Sequence, residues 1–168
     1  MSRFSVVDGV PQIVGSAELR HSSLASGLKV AVVAARFNDF IIDAMLQGAL
    51  DAWERHGGAA EALTLARVPG AFELPLACKR FAASGRFDAV IALGCVIRGD
   101  TPHFEYVAGE AARGLNQAAL DTGVPVIFGV LTVENVAQAE ERADTKRMNK
   151  GGEAMESAIE MALLLRQV

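Results

Sequence analysis

Four short runs rich in apolar and β-branched residues recur along this chain, each followed by a longer stretch with helical spacing. That alternation restricts the fold more than any other feature. The runs are Leu28 to Ala35, Glu61 to Val68, Asp88 to Gly94 and Pro125 to Leu131. After the third, Phe104, Val107, Ala108, Ala111, Leu115 and Ala118 fall on one helical face, while Glu105, Glu110, Arg113 and Gln117 fall largely elsewhere. After the fourth, Met155, Ala158, Ile159, Ala162 and Leu165 repeat the pattern. Strands that are nearly continuous apolar runs have no face to give to water, so a parallel sheet covered by helices on both sides is expected.

The predicted architecture is therefore a doubly wound, three-layer α/β domain. Right-handed crossovers leave few strand orders, and a flavodoxin-like parallel four-stranded sheet is the most economical. With 168 residues, 51% of them hydrophobic, the chain builds one substantial core and has no room for a second full domain. The domain spans 28–168. Residues 1–27 do not fit the alternation, although Gly15 to His21 suits a short extended segment. A four-stranded sheet has two open edges, and such a segment is expected to cover one, in its own subunit or a neighbour's. Oligomerisation is the expectation that follows.

Charge and composition exclude other classes. A net charge of −4 gives no general attraction to nucleic acid or to an anionic membrane. The N-terminus lacks the apolar core of a signal peptide, and no stretch is long enough to span a bilayer. Cys78 and Cys95 lie in apolar surroundings without metal-ligand spacing, and read as reduced, packed thiols of a cytoplasmic protein. No Gly-x-Gly-x-x-Gly follows a strand, and there is no Walker loop, no Gly-x-Ser-x-Gly elbow and no metal-ligand cluster. Dinucleotide, nucleoside triphosphate and zinc chemistry are not expected.

In open parallel sheets ligands bind beyond the carboxyl ends of the strands. The segments there read Arg36-Phe37-Asn38, Val68 to Glu73, Gly94 to His103, and Phe128-Gly129 near the end of the last run. Thr101 is a good N-cap and Pro102 suits a first helical position, which places His103 in the first turn of a helix. Free amides from Gly99 to Thr101, together with the helix dipole, would then suit a phosphate. The alternative is a plain helix start with an exposed histidine. Phe37 and Phe72 would make a stacking platform for a flat heterocycle, or else simply close the core. Glu73 would accept bonds from a polyol, or only favour a helix dipole. Among the other histidines, His56 suits a C-terminal cap before Gly57-Gly58. Glu140 to Gly151 carries four positive charges between two helices, either as a solvated connector or as a source of a cation for a phosphate site.

Taken together, these segments resemble lumazine synthases. The match runs from about Leu28 to the C-terminus and rests on five segments in the family's order and spacing: Arg36 to Asn38, Pro69 to Pro75, Gly94 to His103, Val124 to Gly129, and Glu141 to Ala143. The resemblance implies condensation of 5-amino-6-(D-ribitylamino)uracil with 3,4-dihydroxy-2-butanone 4-phosphate, the penultimate step of riboflavin biosynthesis. It implies neither a cofactor nor a metal. His103 would be the proton shuttle. Asp100 and Thr101 would hold the phosphate together with Arg142. Phe37, Ala71, Phe72, Glu73, Phe128 and the backbone of Cys95, Val96 and Ile97 would bind the pyrimidine and its ribityl chain. In the family Phe128 and Arg142 match residues that come from an adjacent subunit, and the N-terminal segment adds a strand to a neighbour within a homopentamer. Lys150 matches a lysine near the site. Asp144 and Arg147-Met148 depart from the smaller residues common in a loop linked to assembly, which leaves open the choice between a pentamer and a multiple of pentamers.

Overall fold

The computed structural model describes residues 5–7, 10–12 and 24–168. Strand β1 (Ser5–Val7) pairs antiparallel with β2 (Val10–Gln12). The extended segment expected over Gly15 to His21 lies outside the described residues, as does most of the segment 1–27 expected to dock on a neighbour.

The domain follows the predicted alternation. Strands β3 (Val30–Ala35), β4 (Leu63–Val68), β5 (Ala89–Ile97) and β6 (Val126–Val133) form one parallel sheet in the order β4-β3-β5-β6. The helices are α1 (Asp39–Arg55), α2 (Leu74–Ala82), α3 (His103–Thr122), α4 (Val136–Ala143) and α5 (Lys150–Leu165). Side chains alternate across the sheet and feed two cores. Val30, Val32, Ala34, Ile91 and Leu93 join the core shared with α1, α4 and α5. Ala31, Val33, Val90 and Ala92 join the core shared with α2 and α3. Met155, Ala158, Ile159 and Ala162 are buried as their spacing predicts, but Leu165, at the fraying end of α5, is 40% exposed.

Element ends differ from the sequence reading for local reasons. Pairing in β3 starts at Val30 because the Lys29 amide is bound by the Asp88 carboxylate at 2.7 Å. A 3₁₀ turn at Ala60–Ala62 takes Glu61 out of β4. The larger difference is at the far end, where β5 continues to Ile97 and β6 to Val133, pairing from Gly94↔Val130 to Ile97↔Val133. Its partner on the other side, β3, stops pairing at Leu93. Residues 95–97, expected in the loop after the third run, are instead strand with one edge uncovered.

One close crossing sets the position of α5. A Cβ on Gly151 would sit 1.8 Å from the Met45 carbonyl oxygen of α1, so only glycine lets the two backbones meet there.

Candidate active site

The β3 and β4 loops are tied together by backbone. Arg36 N–H reaches the Val68 carbonyl at 2.8 Å, and Phe37 N–H reaches that of Pro69 at 2.9 Å. Glu73 Oε2 accepts from Gly70 N–H at 2.9 Å, the glutamate half of a capping box over the short 3₁₀ turn Ala71–Glu73. The Phe37 ring packs against Gly70, where a Cβ would come within 2.6 Å of Phe37 Cδ2. Phe37 and Phe72 do not close the core: they are 64% and 55% exposed, which leaves the platform reading standing.

Asn38 joins this rim to β5. It adopts φ 61°, in the left-handed region that asparagine tolerates better than most residues. Although it is the N-cap of α1, its side chain makes no capping bond. Instead Asn38 Nδ2 donates to the Cys95 carbonyl at 3.0 Å, on the edge that β3 has left. In a parallel ladder successive residues direct their amide and carbonyl to opposite neighbours. The Val90 and Arg98 amides bond towards β6, so the backbone groups of Cys95 and Ile97 face the opening. The side chains of Cys95 and Val96 are buried, in opposite cores, and only backbone is presented at those positions.

Beyond Ile97 the chain makes an exposed loop and enters α3 at His103. The capping assignment changes: Pro102 is the N-cap, Glu105 N–H closes the first turn on its carbonyl at 3.1 Å, and the Thr101 hydroxyl caps nothing. His103 is thus the first residue of the helix, exposed, beside exposed Asp100 and Thr101. Among the described residues, none accepts a hydrogen bond from the amides of Gly99, Asp100 or Thr101. Free donors at the N-terminus of a twenty-residue helix make a place for an anion.

Arg98, which the sequence reading did not single out, organises this loop. Its guanidinium donates to Glu105 through Nη1, forms an ion pair with Glu134 at 2.9 Å from Nε, and lies 4.2 Å over the Phe104 ring. The hydrogen bond from Arg98 holds the Glu105 carboxyl below the usual carboxylate range.

Phe128, Arg142 and Lys150 form a separate group. Phe128 is not near the end of its strand; it pairs with Ala92 in the middle of β6. Five residues remain to Val133, roughly 16 Å of strand. The three residues line a cleft of about 350 Å³ between β6 and α5, with Met45, Glu153 and Ser157. Phe128 is 46% exposed on the sheet edge. Arg142 lies within α4, its Nη1 donating to the Gln138 carbonyl at 3.1 Å, and Lys150 opens α5 and pairs with Glu153 at 2.6 Å. The connector read as Glu140 to Gly151 is therefore only 144–149. It is wound around Asp144, whose carbonyl accepts from the Arg147 and Asn149 amides at 3.0 Å each. Apart from Phe128 and Gly129, none of the residues at the expected rim lines the cleft at this edge.

Burial pushes the Cys78 thiol up to about 12 and that of Cys95 to about 11; both are free and packed, as expected. His56 is the C-cap of α1 and buried, with Nε2 3.5 Å from Glu156 Oε1. Among the described residues no group of three or more metal-ligating side chains converges, and no helix is long and apolar enough to cross a membrane.

The family model of 6,7-dimethyl-8-ribityllumazine synthase matches residues 27–166. The 6,7-dimethyl-8-ribityllumazine synthase of Desulfovibrio desulfuricans is 55% identical over 144 residues, covering 86% of this chain and 92% of its own. That of Chlorobium chlorochromatii is 54% identical over 144 residues, covering 86% and 93%. That of Syntrophus aciditrophicus is 56% identical over 145 residues, covering 86% and 94%. A model match over nearly the whole α/β domain, joined to relatives aligned almost end to end, makes this chain a member of the 6,7-dimethyl-8-ribityllumazine synthase family.

Proposed function

We propose that the chain carries out its family's condensation at a site completed by a second copy of itself. 5-Amino-6-(D-ribitylamino)uracil and 3,4-dihydroxy-2-butanone 4-phosphate give 6,7-dimethyl-8-ribityllumazine, phosphate and water. The observation that carries the two-copy reading is the separation of the candidate residues into an exposed rim and an exposed sheet edge. Neither is a closed pocket by itself. A neighbour's Phe128 and Arg142 laid over the rim would bury the pyrimidine between aromatic faces and bring a guanidinium to the phosphate. This favours a homo-oligomer, for which the resemblance to the family supports a pentamer or a multiple of pentamers.

At the rim, Phe37 and Phe72 stack on the pyrimidine, and Ala71 and Glu73 position the ring and the ribityl chain. Glu73 Oε2 is engaged with Gly70, which leaves Oε1 for a ribityl hydroxyl. The Cys95 amide and the backbone of Ile97, with Val96 fixed between them, read the heterocycle's edge, the Cys95 carbonyl being engaged by Asn38. The loop at Asp100 and Thr101 binds the phosphate through its amides, with Arg142 of a neighbour. His103 moves the protons. The aminopyrimidine supplies its own amine to form the imine with the ketone, so no lysine is required as nucleophile. His103 takes and returns protons as the imine forms with loss of water, as phosphate leaves to give an enol that tautomerises to a new carbonyl, and as the ribitylamino nitrogen closes the ring on that carbonyl with loss of a second water. Holding both substrates in register supplies much of the remaining acceleration.

The test mixes the purified protein with both substrates and follows the lumazine chromophore against the uncatalysed condensation. Clear acceleration is expected, and its absence would sink the reaction. The two-copy site is tested by co-assembling His103→Ala and Arg142→Ala chains, each nearly inactive alone. Random mixing should restore about a quarter of the sites, the share expected when each site takes one residue from each of two subunits. No recovery in a verified mixed assembly would place both residues in one subunit's site.

A further inference from the structure

We propose that Arg98 is a positioning residue that fixes the His103 loop, acting through Glu105, Glu134 and Phe104 and not by touching substrate. The inference rests on the assignment of that loop to phosphate binding and proton transfer. Between Arg98 and His103 the chain is exposed, and it makes none of the amide bonds at Gly99 to Thr101 that would hold it. A loop free to move would not present its amides and an imidazole to one ligand. The entry to the loop is pinned by Arg98 N–H, which donates to the Val133 carbonyl at 2.9 Å. The exit is pinned by the same residue's side chain, because Phe104 and Glu105 directly follow His103.

The third contact fixes this clamp to the far strand. Glu134 lies just beyond β6, its amide donates to Gln138 Oε1 at 2.9 Å, and the adjacent Asn135 caps α4 by accepting from Gln138 N–H at 3.0 Å. A planar guanidinium can lie on a ring and hold two carboxylates in fixed directions; an ammonium cannot do both. The charge balance separates positioning from ligation. One guanidinium facing two carboxylates leaves a net charge of −1, the wrong sign for a group meant to bind phosphate. Electrostatics alone therefore says that removing both carboxylates should tighten phosphate binding. Positioning says the reverse.

The Glu105→Ala/Glu134→Ala double variant, purified as the full assembly, decides between them by steady-state kinetics in both substrates and by inhibition with inorganic phosphate. The expected result is a kcat lower by about tenfold, with the KM of the phosphorylated substrate and the phosphate inhibition constant each raised several-fold. The pyrimidine KM should stay within about twofold, a split that a general loss of structure would not give. Arg98→Lys keeps the charge and should resemble the double variant, not the parent. Unchanged constants in both variants, or tighter phosphate binding in the double variant, would overturn the role. An active parent with indifferent variants sinks only this inference, whereas an inactive parent removes the assigned reaction and this inference with it.

Discussion

The rim and the β6 edge solve the same problem, holding an exposed side chain still, by opposite means. At the rim the side chains sit on short loops, and order comes from specific bonds: Phe37 through the Pro69 carbonyl, Asn38 to Cys95, Glu73 to Gly70, and Arg98 to Glu105 and Glu134. On the edge, Phe128, Arg142 and Lys150 sit on a strand and two helices, and order comes from packing of those elements on the core. Loops can be shaped residue by residue around a small molecule, while regular elements present a rigid face to another protein surface. Chemistry is therefore expected to fail first when rim bonds are cut, and stability when edge packing is disturbed.

The largest expected effect tests the chemical half of that contrast. His103→Ala removes an exposed side chain with few packing duties, so its stability should stay within about 0.5 kcal/mol of the parent. Its kcat should fall by about a hundredfold or more, the usual contribution of a positioned acid–base group. Pyrimidine affinity should be largely intact. A rate within a few-fold of the parent would take proton transfer away from His103 and leave it as one more loop residue.

The packing half predicts a smaller effect of the opposite kind. Gly151→Ala drives a methyl group into the Met45 carbonyl and must move α5 off α1, at a cost of about 1–3 kcal/mol in urea unfolding. Gly99→Ala, in the rim loop, meets nothing within 4 Å and should leave stability unchanged. If both substitutions are equally silent, the close α1–α5 crossing is not what holds the Lys150 end of the edge, and the contrast between the two regions weakens.

How far the sequence could be read follows the same division. The strands were legible because a doubly covered sheet needs apolar residues on both faces, and the buried stripes of α3 and α5 because a helix repeats its contacts every three or four residues. His103 was legible from Thr101-Pro102, but its cap was not, since Pro102 takes that place and the threonine hydroxyl is left unused. Strand ends were hidden because they depend on partners: β5 runs on to Ile97 only because β6 accompanies it, and its bare edge exists only because β3 turns away. The depth of Phe128 in its strand was hidden with them. Arg98 was missed because its partners lie on other elements, where no short-range spacing places them; an arginine just past a strand, with a glutamate in the first turn of the next helix, was the available signal.

The smallest expected effect probes the joint between the loop bonds and the sheet. Asn38 has a left-handed backbone and gives its side chain to the Cys95 carbonyl, forgoing the usual cap on α1. Asn38→Gly keeps the backbone conformation without strain and removes only that bond, so the loss of stability should be about 1 kcal/mol or less. Asn38→Ala loses the same bond and adds left-handed strain of roughly 1–2 kcal/mol, so it should unfold at clearly lower urea. The rim reading makes a further demand on the glycine variant. Phe37 precedes Asn38, and without the bond its ring is held only by Gly70 and the Pro69 carbonyl, so the pyrimidine KM should rise several-fold while the KM of the phosphorylated substrate stays put. A rise in both would mean that the Asn38 bond also steadies the phosphate loop through β5. A rise in neither would mean that the first loop holds its shape by backbone alone, and that the open edge of β5 needs no such anchor.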